Sequence, residues 1–187
     1  SRLLFYRRGP LLPRALIASD HARGAITCKA RVVSVSELHV GPPRQRFRVS
    51  AHAGTPLLMK EKQAQGFTSF KPVPAKKRPA RYIETPAAVH YSAEKFGELR
   101  SAMGDDIDIA IDFHGAISPA TAKLLIKAIE PYQPMFVEEP IHCQEHDIMA
   151  EIAHGPHPPT ATGQRVLPTW GVREALESKT ATVLPPA

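Results

Sequence analysis

From residue 46 onward, short apolar runs alternate with longer stretches whose apolar residues recur at helical spacing. Phe47 and Val49 lead into Ala51-His52-Ala53-Gly54, which reads as a strand ending in a turn. Thr55-Pro56 then opens a helix over about 56–65, with Thr as N-cap, Pro at the first helical position and Gly66 as the stop. Residues 67–71 (Phe-Thr-Ser-Phe-Lys) read as a second strand. A helix over about 86–102, closed by Gly104, precedes a strand at 107–112. Ser118-Pro119 caps the next helix, Ala120 to Glu130, which gathers Leu125, Ile126 and Ile129 on one side. A strand at 134–138, a helix at about 144–153, a strand at 160–163, a helix at about 171–178 and a strand at 180–184 complete the series.

Such alternation predicts an α/β fold in which helices wind around a parallel sheet. An eight-stranded barrel of this kind typically needs about 250 residues. The expectation for residues 46–187 is therefore an incomplete TIM-type (β/α) barrel of about six of the eight βα units. Residues 1–45 show weak periodicity and many breakers (Gly9-Pro10, Pro13, Gly24, Gly41-Pro42-Pro43). They read as a poorly packed, solvated segment with a helix over about 12–30.

Asp112, Glu138 and Gln164 lie 26 residues apart and 26 again, each at the end of a short apolar run. One strand, one helix and a return loop take roughly 30 residues. The three side chains are thus expected at the C-terminal ends of successive parallel strands, where a βα-barrel builds its chemistry. Three hard oxygen ligands converging there suit Mg²⁺. The plainer alternative is three unrelated polar residues capping strands. His114, two residues past Asp112, leaves the same face if the strand continues.

Composition narrows the setting. The 187 residues are 43% hydrophobic, enough for a core. Two cysteines, Cys28 and Cys143, make no disulfide framework, so a reducing, cytoplasmic compartment is expected. No apolar run approaches the ~20 residues of a membrane helix, and the N-terminus does not read as a signal peptide. The start without Met reads as a fragment or a processed chain. The net charge of +6 is uneven: residues 1–48 carry ten Lys/Arg against Asp20 and Glu37. These arginines are scattered, with almost no aromatic interleaving beyond Phe5 and Tyr6, so a solvated segment is favoured over a nucleic-acid site. Lys76-Lys77-Arg78, in a proline-rich loop at 72–85, is a weak nuclear-localisation signal.

The stretches Phe-Lys (70–71), Ile-Ala-Ile-Asp-Phe-His-Gly (109–115), Ala-Lys-Leu-Leu-Ile-Lys-Ala-Ile-Glu-Pro-Tyr (122–132), Met-Phe-Val-Glu-Glu-Pro (135–140) and Ala-Thr-Gly-Gln-Arg (161–165) carry a resemblance. They resemble the enolase superfamily, specifically the mandelate racemase and muconate lactonizing enzyme family and its galactonate dehydratase-like members. A weaker likeness runs back through residues 5–45, and it implies that residues 1–45 are a divergent linker or remnant of the family's capping domain. The resemblance implies an acid-sugar substrate whose carboxylate binds Mg²⁺, abstraction of the proton alpha to it, and acid-assisted loss of the β-hydroxyl. It also implies Asp112 and Glu138 as metal ligands, Gln164 at the third ligand position, His114 as general acid and Lys71 at an acid–base position. Arg165 is expected to bind substrate.

Departures accompany the match. The third ligand is normally Glu, and Gln164 lacks its charge. Val73 stands where a second base lysine would, which argues against racemase chemistry. The family's base is a His on a seventh strand, expected beyond residue 187, and most of its capping domain is not matched. Residues 1–187 alone are therefore expected to be inactive. A rival from another class is a non-catalytic partial barrel serving binding or oligomerisation, and a homo-oligomer is compatible with either reading. His142-Cys143-x-x-His146, with His154 and His157 nearby, resembles a zinc cluster but lacks a second clearly spaced pair. Glu139 reads as an interior partner for a Lys or Arg, and Met149 and Ile152 as core.

Overall fold

The repeated Ser/Thr-Pro pairs set the helices. Thr55, Thr85 and Ser118 each sit in extended backbone and accept a hydrogen bond from the amide three residues on, Leu58, Ala88 and Thr121. Pro56, Pro86 and Pro119 follow them at the first helical position, where no backbone donor is needed. The computed structural model describes residues 11–39, 41, 46–75, 83–155, 158–166 and 169–184. The basic stretch Lys76-Lys77-Arg78, His157 and most of the predicted linker motifs at 5–10 and 41–46 lie outside them.

Two compact units divide the chain, residues 1–48 and 49–187. The first contains α1 (Leu11–Arg31) and α2 (Val35–His39), so the helix predicted over about 12–30 is present. Among its described residues only Cys28 is buried, while Ile26 and Val32 face solvent. No described helix is long and apolar enough to cross a membrane.

The second unit holds α3 (Pro56–Ala64), α4 (Pro86–Met103), α5 (Pro119–Ile129), α6 (His146–Ala153) and α7 (Thr169–Glu177). Between them lie five two-residue strands: β1 (Ser69–Phe70), β2 (Asp108–Ile109), β3 (Ile111–Asp112), β4 (Val137–Glu138) and β5 (Thr160–Ala161). All pairings are parallel, β1 with β2 and β3-β4-β5 in order. The predicted 107–112 strand is thus divided at Ala110. Its first half pairs back to β1 and its second half forward to β4, so one apolar run joins two sheets.

The predicted first and last strands shrink to single bridges, Ala51 with Phe70 and Val183 with Ala161. Phe47 and Val49, expected in the first strand, are exposed and gain nothing by pairing. The core is continuous from Ala51 to Ile152 and includes Phe70, Ile109, Ile111, Val137, Met149 and Ile152. Leu125, Ile126 and Ile129 bury the predicted face of α5. Arg100 near the end of α4 donates to the carbonyls of Tyr132, Gln133, Gly104 and Ile107, tying the helix to the entry of β2.

Candidate functional site

Parallel register, rather than sequence spacing, decides which side chains meet. Asp112 pairs with Glu138 across β3 and β4, so both side chains leave the same face about one strand spacing apart (~4.8 Å). Glu138 in turn pairs with Ala161, three residues short of Gln164. Asp112 and Glu138 are 5% and 3% exposed, whereas Gln164 lies exposed in the turn after β5. The expectation that the three oxygens end successive strands in matching positions thus holds for two of them. The connection from β4 to β5 is shorter, and Gln164 falls in the turn instead of on the strand.

Lys71 directly follows β1, and its ammonium reaches both carboxylates. It is hydrogen-bonded to Glu138 Oε2 and lies 3.4 Å from Asp112 Oδ2. Burial alone lowers the Lys71 pKa, but the hydrogen bond and charge of Glu138, then Asp112, outweigh it and hold the ammonium above the ordinary lysine value. A raised lysine contributes its full stabilisation at neutral pH and loses it only as pH climbs through that elevated value. His52 Nδ1 sits 2.9 Å from the Lys71 carbonyl, adding a titratable group at this end of the unit. The sequence places His52 at a strand end but gives no sign of that partner.

His114 is held beside the pair by its own backbone. Its amide donates to Asp112 Oδ1 at 2.9 Å, and its Nε2 stands 3.4 Å from Asp112 Oδ2. This needs left-handed backbone at both His114 (φ 59) and Gly115 (φ 60). A Cβ on residue 115 would lie 2.8 Å from the Ile141 carbonyl, so glycine is required there on two counts. Arg165, expected to bind substrate, donates from its guanidinium to the His114 carbonyl. The turn after β5 is thereby tied to the turn after β3.

Glu139 has a different role from the one expected. Among the described residues no Lys or Arg pairs with it. Its Oε1 accepts from the Thr162 hydroxyl (3.0 Å) and the Gly163 amide (3.1 Å), and its Oε2 is buried with no partner among the described residues. β4 ends at Glu138, and Glu139 just past it has left-handed backbone (φ 43), which separates the Lys71-bonded Glu138 from this structural Glu139. The doublet was visible in the sequence; which member faced which way required the register.

Two buried carboxylates turned toward one cation fit Mg²⁺, which is commonly held by one or two carboxylates and keeps several waters. The ammonium of Lys71 stands in for a metal charge there. Among the described residues no three His, Cys, Asp or Glu side chains form a ready-made metal cluster, either around Asp112 and Glu138 or at His142-Cys143-His146. Burial and the charge of Glu139 push the Cys143 thiol up, with Arg165 opposing.

Comparison with known proteins fits this geometry. Residues 57–187 match the enolase C-terminal domain-like family. A D-galactonate dehydratase of Ralstonia pickettii is 35% identical over 188 aligned positions, covering 97% of this chain and 49% of the relative. Its counterpart in Ralstonia nicotianae is 34% identical over the same shares. The chain spans about half the length of the curated relatives it matches. Among solved structures, an enolase from Agrobacterium radiobacter with bound Na and L-malate superposes with a TM-score of 0.84 at 29% identity, over 99% of this chain and 49% of that one. An enolase superfamily member from Salmonella Typhimurium superposes at 0.86, over 96% of this chain and 53% of that one; at 20% identity it speaks for the fold alone.

Proposed function

This chain belongs to the enolase C-terminal domain-like family, with a TIM-barrel-like fold, and from that premise we propose that it carries the metal-binding side of an acid-sugar dehydratase. The observation that carries the reading is the register pair Asp112–Glu138, buried and converging on a cation with His114 alongside. Asp112 and Glu138 would hold Mg²⁺, with the Gln164 amide oxygen as a neutral third donor. Mg²⁺ in such a site stabilises negative charge that develops on a substrate carboxylate during loss of the alpha proton.

His114 is the general acid of the proposal. Its half-exposed imidazole stands 3.4 Å from Asp112 Oδ2, placed to hand a proton to a departing β-hydroxyl. Lys71 is the second group able to exchange a proton at the carboxylates. Arg165 fixes the backbone of His114 and leaves part of its guanidinium toward solvent for an anionic substrate. The substrate class is an aldonate, by likeness to the Ralstonia relatives. Because the chain spans half their length, residues 1–187 by themselves are proposed to bind metal and aldonate without releasing product. The barrel of about six βα units and the assignment of residues 1–45 to a capping remnant belong to the same proposal.

Calorimetry tests it: Mg²⁺ binds, and D-galactonate then binds only in its presence. Galactonate binding that is indifferent to Mg²⁺ contradicts the reading. The rival, a non-catalytic binding module, is favoured by the ammonium between the carboxylates and the missing charge at Gln164. It predicts no Mg²⁺ binding at all.

A further inference from the structure

We propose that Lys71 is a built-in competitor for the metal, so that a divalent ion binds only by displacing its ammonium from Glu138 and Asp112. The inference rests on the reading of those two residues as metal ligands. Two buried carboxylates in register repel each other unless a cation lies between them. Here Asp112 Oδ1 is taken by the His114 amide, which leaves Oδ2 for a cation. That oxygen and Glu138 Oε2 are the two atoms Lys71 occupies. The carboxylates have little freedom, since both stand on paired strands with buried backbones. The lysine has more: its side chain is 30% exposed and it stands just past the end of β1.

Charge accounting sharpens the competition. A third carboxylate would draw in a divalent ion that the monovalent ammonium cannot match. Gln164 brings no such charge, and Mg²⁺ gives up its waters reluctantly. The exchange between Lys71 and the metal is therefore close to balanced, and the metal affinity of the site is set by how strongly the ammonium is held. Displacement also releases a positive group at the mouth, where an anionic ligand would meet it. Metal loading and anion binding would then reinforce each other.

The test is Lys71→Met, which keeps the length of the side chain and removes the charge. Calorimetry with MgCl₂ is expected to give a Kd at least roughly 10-fold tighter than in the unaltered protein, the lower end of what one close, solvent-screened charge contributes. The rise in melting temperature from EDTA to saturating Mg²⁺ is expected to be larger in the variant, whose carboxylates are otherwise unpaired. Equal or weaker binding in the variant overturns the competition and leaves the metal site standing. Absence of Mg²⁺ binding in both proteins overturns the metal reading itself. Should Lys71→Met not fold without metal, the ¹⁵Nζ resonance of Lys71 in the unaltered protein decides. It should move in step with the calorimetric isotherm, and a resonance unmoved at saturating Mg²⁺ contradicts displacement.

Discussion

Asp112 and Glu138 meet as register partners on paired strands, buried to 5% and 3% exposure, whereas Gln164, the same 26 residues further on, lies in an exposed turn. The first interval is one strand, one 11-residue helix and its returns. The second contains an 8-residue helix, and the register closes on Ala161. Equal spacing in sequence gives equal position in a sheet only when helix and loops have equal length. The candidate site therefore has a buried side, built on β3 and β4, and an exposed side, built on the turn after β5.

The buried side should be intolerant. Glu138→Gln keeps the shape and an oxygen but removes half the charge of the pair, and Mg²⁺ affinity should fall about 100-fold or more, at the upper end for altered metal surroundings. Calorimetry that finds the variant within a few-fold of the unaltered protein would mean that Glu138 is no ligand. The exposed side should respond in the other direction. Gln164→Glu restores a charge, and Mg²⁺ should bind roughly 10-fold tighter as the turn brings it to the metal. Unchanged affinity would show that the turn stays where it is and that Gln164 takes no part.

Glu139 joins the two sides, and its contribution is to stability. Glu139→Gln weakens the acceptor that receives Thr162 and Gly163, at a cost of about 1–2 kcal/mol. In a chain of this size, that is a drop of several degrees in melting temperature (~2–4 °C per kcal/mol). A melting point at or above the unaltered value would assign the carboxylate no structural role. The smallest effect concerns Cys143, next to this joint. Its raised thiol should react with a disulfide reagent at neutral pH several-fold more slowly than a free thiol. Removing Arg165, which opposes the shift, should slow it further, and faster reaction with the same reagent in Arg165→Met would refute the stated cause.

Much of this architecture was legible because local chemistry dictated it. The Thr55-Pro56 and Ser118-Pro119 starts, the Gly104 stop and the apolar face of Leu125, Ile126 and Ile129 all act within one helix. The strands were placed correctly but drawn too long, since residues such as Phe47 are apolar yet find nothing to bury against. At the site, Asp112, Glu138, His114 and Lys71 could be picked out, and the structure brings those four together. What sequence pattern did not hold were the relations across strands. The Lys71 bridge, the grip of Arg165 on the His114 carbonyl, the use of Glu139 and the place of His52 each depend on register and on positive φ at His114 and Glu139.

The central claim, that the Asp112–Glu138 pair receives a divalent ion beside His114, is tested most directly by proton NMR with Mn²⁺ as a paramagnetic substitute for Mg²⁺. The account predicts that substoichiometric Mn²⁺ broadens the imidazole resonances of His114 before those of His90, His142 and His154, and that Asp112→Asn abolishes this selectivity. Sharp His114 resonances while His142 or His154 broaden, or broadening of His114 that survives Asp112→Asn, would contradict it.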